Sequence, residues 1–439
     1  MILFYYTRRV LSMRQKISIV LFLYLTTNLS ATTLGELVES GLNNNSAIKS
    51  NDLQTQLMEA KKSESKANRF GEVDAVGSYT HYNLPRTLAP IVPSSLSPNS
   101  SVETTKDLFT SGIQYSVPLF MGGALKEQVE IDKLAKSMTE MRAKLSREEI
   151  IYNIRSLYLS GLSLQELISA QNSYVDALKK LRAVIATSVE IGKKARIDLI
   201  KSDSSIKEAE GKVAQMESSL KMIKSTLKAI THISDIDYLE PIEVDMVRED
   251  NSVDEDFDNL DRFKLQNLEI SKGDRVISKA KASKRPQIAL NSYAGYNYDI
   301  DDNSPNKEYL WQVGVNLKWD VFDFGKSNAR IQQAKIAKLQ AIVKKEATTE
   351  GFKKLLAKAF NQIETALVDY QTNLSKLRLV QESQKIEEAR YNAGVSTLND
   401  LLLAKSKTQL TKSKLIESQY EYKNGVYYLD YLLERGENR

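Results

Sequence analysis

The sequence predicts an α+β membrane protein built from two similar halves, each with a helix, two strands, a long helix and a second helix. Three observations lead to this fold class. Many residues recur at a constant spacing, long segments carry apolar residues at helical spacing, and shorter segments alternate strictly between apolar and polar residues. Of the 439 residues, 42% are hydrophobic and 27% are charged, which suits long amphipathic helices better than a compact sheet enzyme.

The N-terminal segment, residues 1–31, has the pattern of an export signal peptide. Basic residues precede the apolar run 17–25, and Ala31 supplies a small residue at a suitable cleavage point. The run is too short to span a bilayer, and either Met1 or Met13 can be the start. A short buried helix is the alternative interpretation. Without the basic residues of this segment the chain is nearly neutral, which argues against nucleic acid as a partner.

The residue inventory excludes several classes of function. The chain has no cysteine, which excludes disulfides, thiol catalysis, thiolate metal sites and a lipid anchor on cysteine. It has two histidines, His81 and His232, which are too few for a histidine metal cluster, and we interpret both as surface or loop residues. A nucleophile–base pair and a phosphate-binding loop are also missing from the sequence. We therefore predict no enzyme activity, no cofactor and no bound metal.

The strongest pattern is an internal duplication. Residues 112–136 align without gaps with residues 314–338, at an offset of 202. The same offset holds some 80 residues later, where Gly192 corresponds to Gly394 and Asp198 to Asp400. Repeats of this kind indicate two copies of one supersecondary unit.

The duplication divides the chain into four segments. We predict a signal peptide (1–31), a first repeat (32–234), an acidic linker (235–258) and a second repeat (259–439). We interpret the linker as an exposed band, because runs of charge are usually solvated. A partner-binding role for the linker is the alternative.

Long helices are predicted over residues 124–190 and 326–390. Their apolar residues recur at spacings of three and four, the 3.5-residue period of coiled-coil packing. Helices of roughly 65 residues reach about 100 Å at 1.5 Å per residue. The residues that carry the period are Ile154, Leu157, Gly161, Leu164, Ile168, Val175 and Leu178 in the first half, and Phe352, Leu356, Ala359, Ile363, Ala366, Tyr370 and Leu377 in the second.

A strand is predicted over residues 310–321, where apolar and polar residues alternate. One apolar face with a tryptophan near each end is typical of a lipid-facing strand between two aromatic girdles. A soluble sandwich strand packed on a core is the alternative. The apolar face consists of Trp311, Val313, Val315, Leu317 and Trp319, and residues Ile288, Leu290, Ala294, Tyr296 and Tyr298 form a matching face on the preceding strand.

The number of strands also predicts the number of chains. Four strands in one chain are too few to close a barrel, and open strand edges are not tolerated in lipid. Three chains supply twelve strands, which can close. We therefore expect a homotrimer whose barrel contacts lipid.

At this point the residues resemble the TolC-like outer-membrane efflux protein family, from about Thr33 to Leu433. The resemblance is carried by the duplicated strand–helix junctions at residues 117–123 and 321–325, and by the two turns at residues 189–200 and 390–404. Each motif is modest alone. Together, duplicated and correctly spaced, they are specific.

The resemblance implies a trimeric twelve-stranded outer-membrane β-barrel, with four strands per chain, continued by a long periplasmic α-helical coiled-coil barrel. It implies a passive exit duct of a tripartite efflux or type I secretion system. The partners would be a periplasmic adaptor protein and an inner-membrane transporter. The alternative is a non-conducting periplasmic coiled-coil scaffold or adhesin, which explains the helices but leaves the tryptophan-flanked strands unexplained.

The resemblance also assigns roles at the two turns, which would lie at the periplasmic tip, meet the adaptor and close the entrance. Rings of aspartates there would favour cations. An aspartate near a helix start also stabilises that terminus, so capping alone is the alternative. A basic residue that locks the entrance in some relatives is replaced by Ser396. The expected adaptor-contact residues are Gly192, Leu199, Gly394 and Leu401, and the expected entrance residues are Asp198, Tyr391 and Asp400.

Overall fold

The computed structural model describes residues 31–97, 102–246, 256–300 and 306–436, so the predicted signal peptide lies outside the described residues except for Ala31. None of the described helices combines the length and apolar content that a membrane span requires. The helices are α1 (Leu34–Asn44), α2 (Ser46–Ala67), α3 (Ala124–Glu190), α4 (Arg196–Thr231), α5 (Asp261–Ala282), α6 (Lys326–Asn392) and α7 (Leu398–Leu432). The strands are β1 (Glu72–Thr87), β2 (Thr104–Met121), β3 (Gln287–Asp299) and β4 (Lys307–Lys318).

The chain divides into two compact units that do not coincide with the two sequence repeats. The first, here called the helical unit, comprises the described parts of residues 1–48, 147–253 and 354–439. The second, the sheet unit, comprises the described parts of residues 49–146 and 254–353. Each unit therefore contains segments from both halves of the duplication.

The sheet unit carries an antiparallel meander in the order β1-β2-β3-β4. One row of paired residues crosses all four strands: Ala75 lies opposite Ile113, Ile113 opposite Ala294, and Ala294 opposite Trp311. Because side chains alternate between the two faces of a strand, this register places the predicted apolar residues of every strand on the same face. The matching face predicted for the strand before Trp311 is therefore confirmed.

The predicted extent of the last strand is wrong at its C-terminal end. Strand β4 ends at Lys318, so Trp319 lies beyond it. There the indole Nε1 of Trp319 donates a hydrogen bond to the carbonyl oxygen of Lys284 at 3.1 Å. Beyond it the chain leads into α6, where Asp323 accepts hydrogen bonds from Gly325 N and Ser327 N.

Two prolines lie inside strands, at places where the pairing is irregular. Pro85 belongs to β1 and lies within the register shift between His81 and Arg86. Pro118 belongs to β2, at a second shift next to Phe120. Proline has no N–H to donate to a ladder, so bulges are where a sheet tolerates it. The segment around Pro85 belongs to strand β1, which continues to Thr87.

The helical unit has a core formed by α1, α3, α4, α7 and the segment after α4. Leu37, Ile154, Tyr158 and Leu227 are fully buried in it. Tyr158 also donates through its hydroxyl to the carbonyl oxygen of Glu240 at 2.6 Å. Within this unit the predicted period of the second half is buried at Leu356, Ala359, Ile363 and Ala366, whereas Tyr370 and Leu377 are half-buried.

Two details of the helical unit differ from the expectation. The first half begins with two helices rather than one, because Asn45 adopts an extended conformation and its side chain accepts from Ala47 N and donates to the carbonyl oxygen of Ile230. The described part of the acidic linker is not merely solvated. Ile236 and Leu239 belong to the core, although acidic residues surround them in the sequence.

Candidate functional site

Two regions carry the residues predicted to be functional, and the first is the apolar face of the sheet. On β4, Trp311, Val313, Val315 and Leu317 are between 61% and 70% exposed in the single chain. The cross-strand partners Ala294, Ser292, Leu290 and Ile288 present the same face of β3. An exposed apolar surface of this extent requires a cover, and the described residues do not provide one.

The second region is the end of the helical unit, where α3 turns into α4 and α6 turns into α7. We call these two turns, residues 191–195 and 393–397, the tip turns. In the first, Lys193 N donates to the carbonyl oxygen of Ser188 at 2.8 Å; in the second, Val395 N donates to that of Arg390 at 3.0 Å. Gly192 and Gly394 have φ of 73° and 76°, the left-handed conformation that ends many helices.

An apolar cluster lies beneath the tip turns and joins all four helices. Ile185, Tyr391, Leu398 and Leu401 are at most 4% exposed, and Leu199 packs against them partly buried. Leu401, expected at the adaptor contact, is completely buried, so its side chain is not exposed to a partner in the single chain. The reason is that the helical register of α7 directs Leu398 and Leu401 together into the cluster, one turn apart.

Tyr391, expected near the entrance, is the polar member of this cluster. The ammonium group of Lys194 lies 4.0 Å from the centre of its ring, a cation–π geometry. Burial, and then the charge of Asp198, raises the pKa of the Tyr391 hydroxyl above its ordinary value. The buried hydroxyl has no hydrogen-bond partner among the described residues. The sequence analysis did not identify Lys194, and its position two residues after Gly192 is the only signal that could have done so.

The two equivalent aspartates differ in their surroundings. Asp400 forms a capping box with Thr397, accepting from Thr397 N at 3.1 Å and from Thr397 Oγ1 at 2.6 Å. Hydrogen bonds from Thr397 hold the pKa of Asp400 below its ordinary value. The capping role is therefore observed for Asp400. At the start of α4, Ala195 occupies the cap position and provides no such hydrogen bond.

Sequence reasoning missed the exposed apolar residues at the tip. Ile191, Ile197, Ile200 and Val395 are between 52% and 66% exposed. Turns are usually polar, so apolar residues beside Gly192 and Gly394 were an available signal. Within the described ranges, no group of three or more His, Asp or Glu residues is placed to hold a metal ion.

Comparison with known proteins adds a family and a fold. A family model described as "Outer membrane efflux protein" matches residues 37–231 and 266–433. The outer membrane protein TolC of Vibrio cholerae is 20% identical over 332 residues, which cover 72% of this chain and 74% of TolC. The structure of CusC matches with a TM-score of 0.78 at 16% identity, covering 91% of each chain. The CmeC outer membrane channel of Campylobacter jejuni matches with a TM-score of 0.75 at 16% identity, covering 92% of this chain and 86% of CmeC. The predicted fold class is thus confirmed for the chain, with four strands joined to long helices.

Proposed function

Because the chain belongs to the outer membrane efflux protein family, we propose that three copies form a passive exit duct coupled to a periplasmic adaptor and an inner-membrane transporter. Membership of the family makes the protein an efflux channel of the outer membrane, as the sequence predicted. Family and fold are those of channel proteins rather than of enzymes. The proposal adds the trimer, the partners, the large periplasmic portion and the use of the duct in tripartite efflux or type I secretion.

The observation that carries the proposal is the sheet. Its four strands share one apolar face, and the outer edges of β1 and β4 have no strand partner among the described residues. Open edges are too costly to remain unpaired in lipid. In a four-stranded meander β1 and β4 run in opposite directions, so β1 of one copy can pair antiparallel with β4 of the next. Three copies then supply twelve strands and no free edge.

The tip turns are proposed as the entrance and the adaptor contact. Asp198 is the better candidate for an acidic ring, because its carboxylate accepts no hydrogen bond from the described residues, whereas Asp400 is engaged by Thr397. Threefold symmetry would place three copies of Asp198 around one opening. We propose that the adaptor contacts Gly192, Gly394 and the exposed side chains beside them. Leu199 is partly buried, so only part of its side chain is available for this contact.

Single-channel recording in a planar bilayer tests the proposal. We expect discrete steps that prefer cations, and a weaker cation preference in Asp198→Asn than in Asp400→Asn. The second variant is the matched control, since it removes the same charge from the equivalent position of the other tip turn. Silence from trimers that are demonstrably inserted would contradict the duct and favour the non-conducting scaffold.

A further inference from the structure

We propose that Phe322 and Phe324, between β4 and α6, form an anchor that inserts into the phospholipid headgroup zone of the inner leaflet, beside the basic side chains of Lys284 and Lys326. We call these two phenylalanines the junction anchor. The inference rests on the proposed function, because that function places β4 in the membrane and α6 in the periplasm. It goes further by assigning a lipid-binding role to residues outside the strands.

The anchor is positioned by the cap of α6. The Asp323 carboxylate accepts from Ser327 N at 2.8 Å through Oδ2 and from Gly325 N at 3.1 Å through Oδ1. Phe322 and Phe324 flank Asp323, and their rings meet edge to face with centroids 4.7 Å apart. Phe322 is 76% exposed and Phe324 is 91% exposed. These hydrogen bonds therefore fix a pair of aromatic rings that the part of the chain described by the structure leaves almost uncovered.

The backbone of Phe324 is unusual for its residue type. Its φ is 52°, in the left-handed region that L-residues with bulky side chains avoid. The duplication supplies a comparison, because Gly122 occupies the equivalent position in the first half with φ of 64°. Glycine adopts this conformation without strain. Phe324 accepts the strain and gains little burial within the chain, so its ring serves a contact outside it.

Continuity and charge identify the occupant as lipid. The apolar face of β4 ends in Leu317, and the chain continues through Trp319 and Val321, which are 53% and 78% exposed, to the junction anchor. Tryptophan and other aromatic residues mark the membrane–water interface of barrels. The Nζ of Lys284 lies 2.5 Å from Oδ1 of Asn328, which places this cation at the start of α6. Lys284, Lys318 and Lys326 outnumber the acidic residues Asp320 and Asp323 here, and backbone N–H groups already engage the Asp323 carboxylate. The surplus positive charge fits an anionic phosphate surface better than a second copy of the nearly neutral chain.

Quenching of single tryptophans by brominated lipids tests the anchor. Trp311 and Trp319 are the two tryptophans of the chain, so Trp311→Phe with Trp319→Phe gives a background without tryptophan. Into it we would introduce Phe324→Trp, Val315→Trp or Leu339→Trp, one at a time. Each trimer is reconstituted in phosphatidylethanolamine–phosphatidylglycerol vesicles that carry bromine either near the headgroups or near the chain ends. Leu339 is a matched control, 59% exposed on α6 and about 20 Å from the start of that helix.

We expect Phe324→Trp to lose more emission with bromine near the headgroups, Val315→Trp to lose more with bromine near the chain ends, and Leu339→Trp to lose none. If Val315→Trp is quenched and Phe324→Trp is not, the inference is overturned while the proposed function stands; blue-shifted emission from 324 would then identify a second copy as its cover. If neither position is quenched in trimers that remain with the vesicles, the membrane placement of β4 fails as well.

Discussion

Thr397 and Asp400 cap the start of α7 reciprocally, because the side chain of each accepts a hydrogen bond from the backbone N–H of the other. Asp400 N donates to Thr397 Oγ1 at 3.2 Å, and Thr397 N donates to Asp400 Oδ2 at 3.1 Å. In the other tip turn Ala195 stands at the equivalent of Thr397, so Asp198 has no partner for the same exchange. The two turns of the duplication thus have similar backbone hydrogen bonds, but of the two helices that follow them only α7 has a side-chain cap at its N-terminus.

This asymmetry predicts opposite effects of two substitutions on the stability of the helix starts. Thr397→Ala should weaken the start of α7 by about 1 kcal/mol, the usual value of a side-chain N-cap. Ala195→Thr should stabilise the start of α4 by a similar amount, because it creates a capping box with Asp198. Hydrogen exchange measured by mass spectrometry on the two tip peptides checks both, with each turn serving as control for the other. Equal exchange in Thr397→Ala and the wild type would show that the box does not stabilise the turn.

The capping box also predicts a dependence on pH. The pKa of Asp400 is lowered, mainly by the hydrogen bond from the Thr397 side chain. A carboxyl group with a lowered pKa in the folded state contributes stability above its unfolded pKa, near 3.9, and loses it as the pH falls through the folded value. Asp400→Ala should therefore have a lower urea midpoint than the wild type at pH 7, and the difference should disappear in strong acid.

Thr397→Ala is the control for this titration, since it removes the largest cause of the pKa shift and leaves the carboxylate in place. Its urea midpoint should follow that of Asp400→Ala more closely than that of the wild type as the pH changes. A difference between the wild type and Asp400→Ala that stays constant down to low pH would mean that the ionised carboxylate is not the stabilising species.

The sequence predicted the periodic parts of this molecule and missed those that depend on contacts between distant segments. The row from Ala75 to Trp311 follows from the two-residue period of strands, and helix α3 lies where its apolar spacing indicated. The position of Trp319 does not follow from any period. It depends on a hydrogen bond to Lys284, which is remote in sequence.

The candidate site shows the same division. Gly192 and Gly394 could be predicted to be turn residues, because their surroundings required a reversal between helices. The burial of Leu401 could not, because it depends on how four helices meet around Ile185. In the acidic linker, the many charged residues suggested solvent exposure, although Leu239 lies in the core. In each case the missing information is tertiary packing, which local propensity does not contain.

A charge on the apolar face of β4 should impair assembly in the membrane. Val315 lies midway between Trp311 and Trp319 in the sequence, pairs with Leu290 on the neighbouring strand and is 63% exposed. An arginine facing the bilayer midplane of a barrel costs about 2–4 kcal/mol, and a trimer carries it three times. Val315→Arg should therefore lower the yield of trimer in outer-membrane fractions. Asn316→Arg places the same charge one residue further along β4, on the opposite face of the strand, and this variant should assemble normally. Equal yields from the two variants would contradict the lipid-facing assignment.

The last prediction concerns the anchoring of the acidic linker at Gly161. A Cβ atom added to Gly161 would lie 2.4 Å from Cδ1 of Leu239, well inside van der Waals contact. Gly161→Ala should therefore destabilise the helical unit by about 1–3 kcal/mol, the range of overpacked cores. Gly211→Ala is the matched control, because that glycine lies in α4 with open space around it. Replacing an exposed helical glycine by alanine should stabilise by up to about 1 kcal/mol.

The measurement for both variants is the urea midpoint of the helical signal in far-ultraviolet circular dichroism. Gly161→Ala should destabilise the protein less in a Leu239→Ala background than in the wild-type background, because Leu239→Ala removes the overlapping atom. A Gly161→Ala protein as stable as Gly211→Ala would mean that Leu239 does not pack on α3. In that event the linker would be the solvated band that its charges suggest.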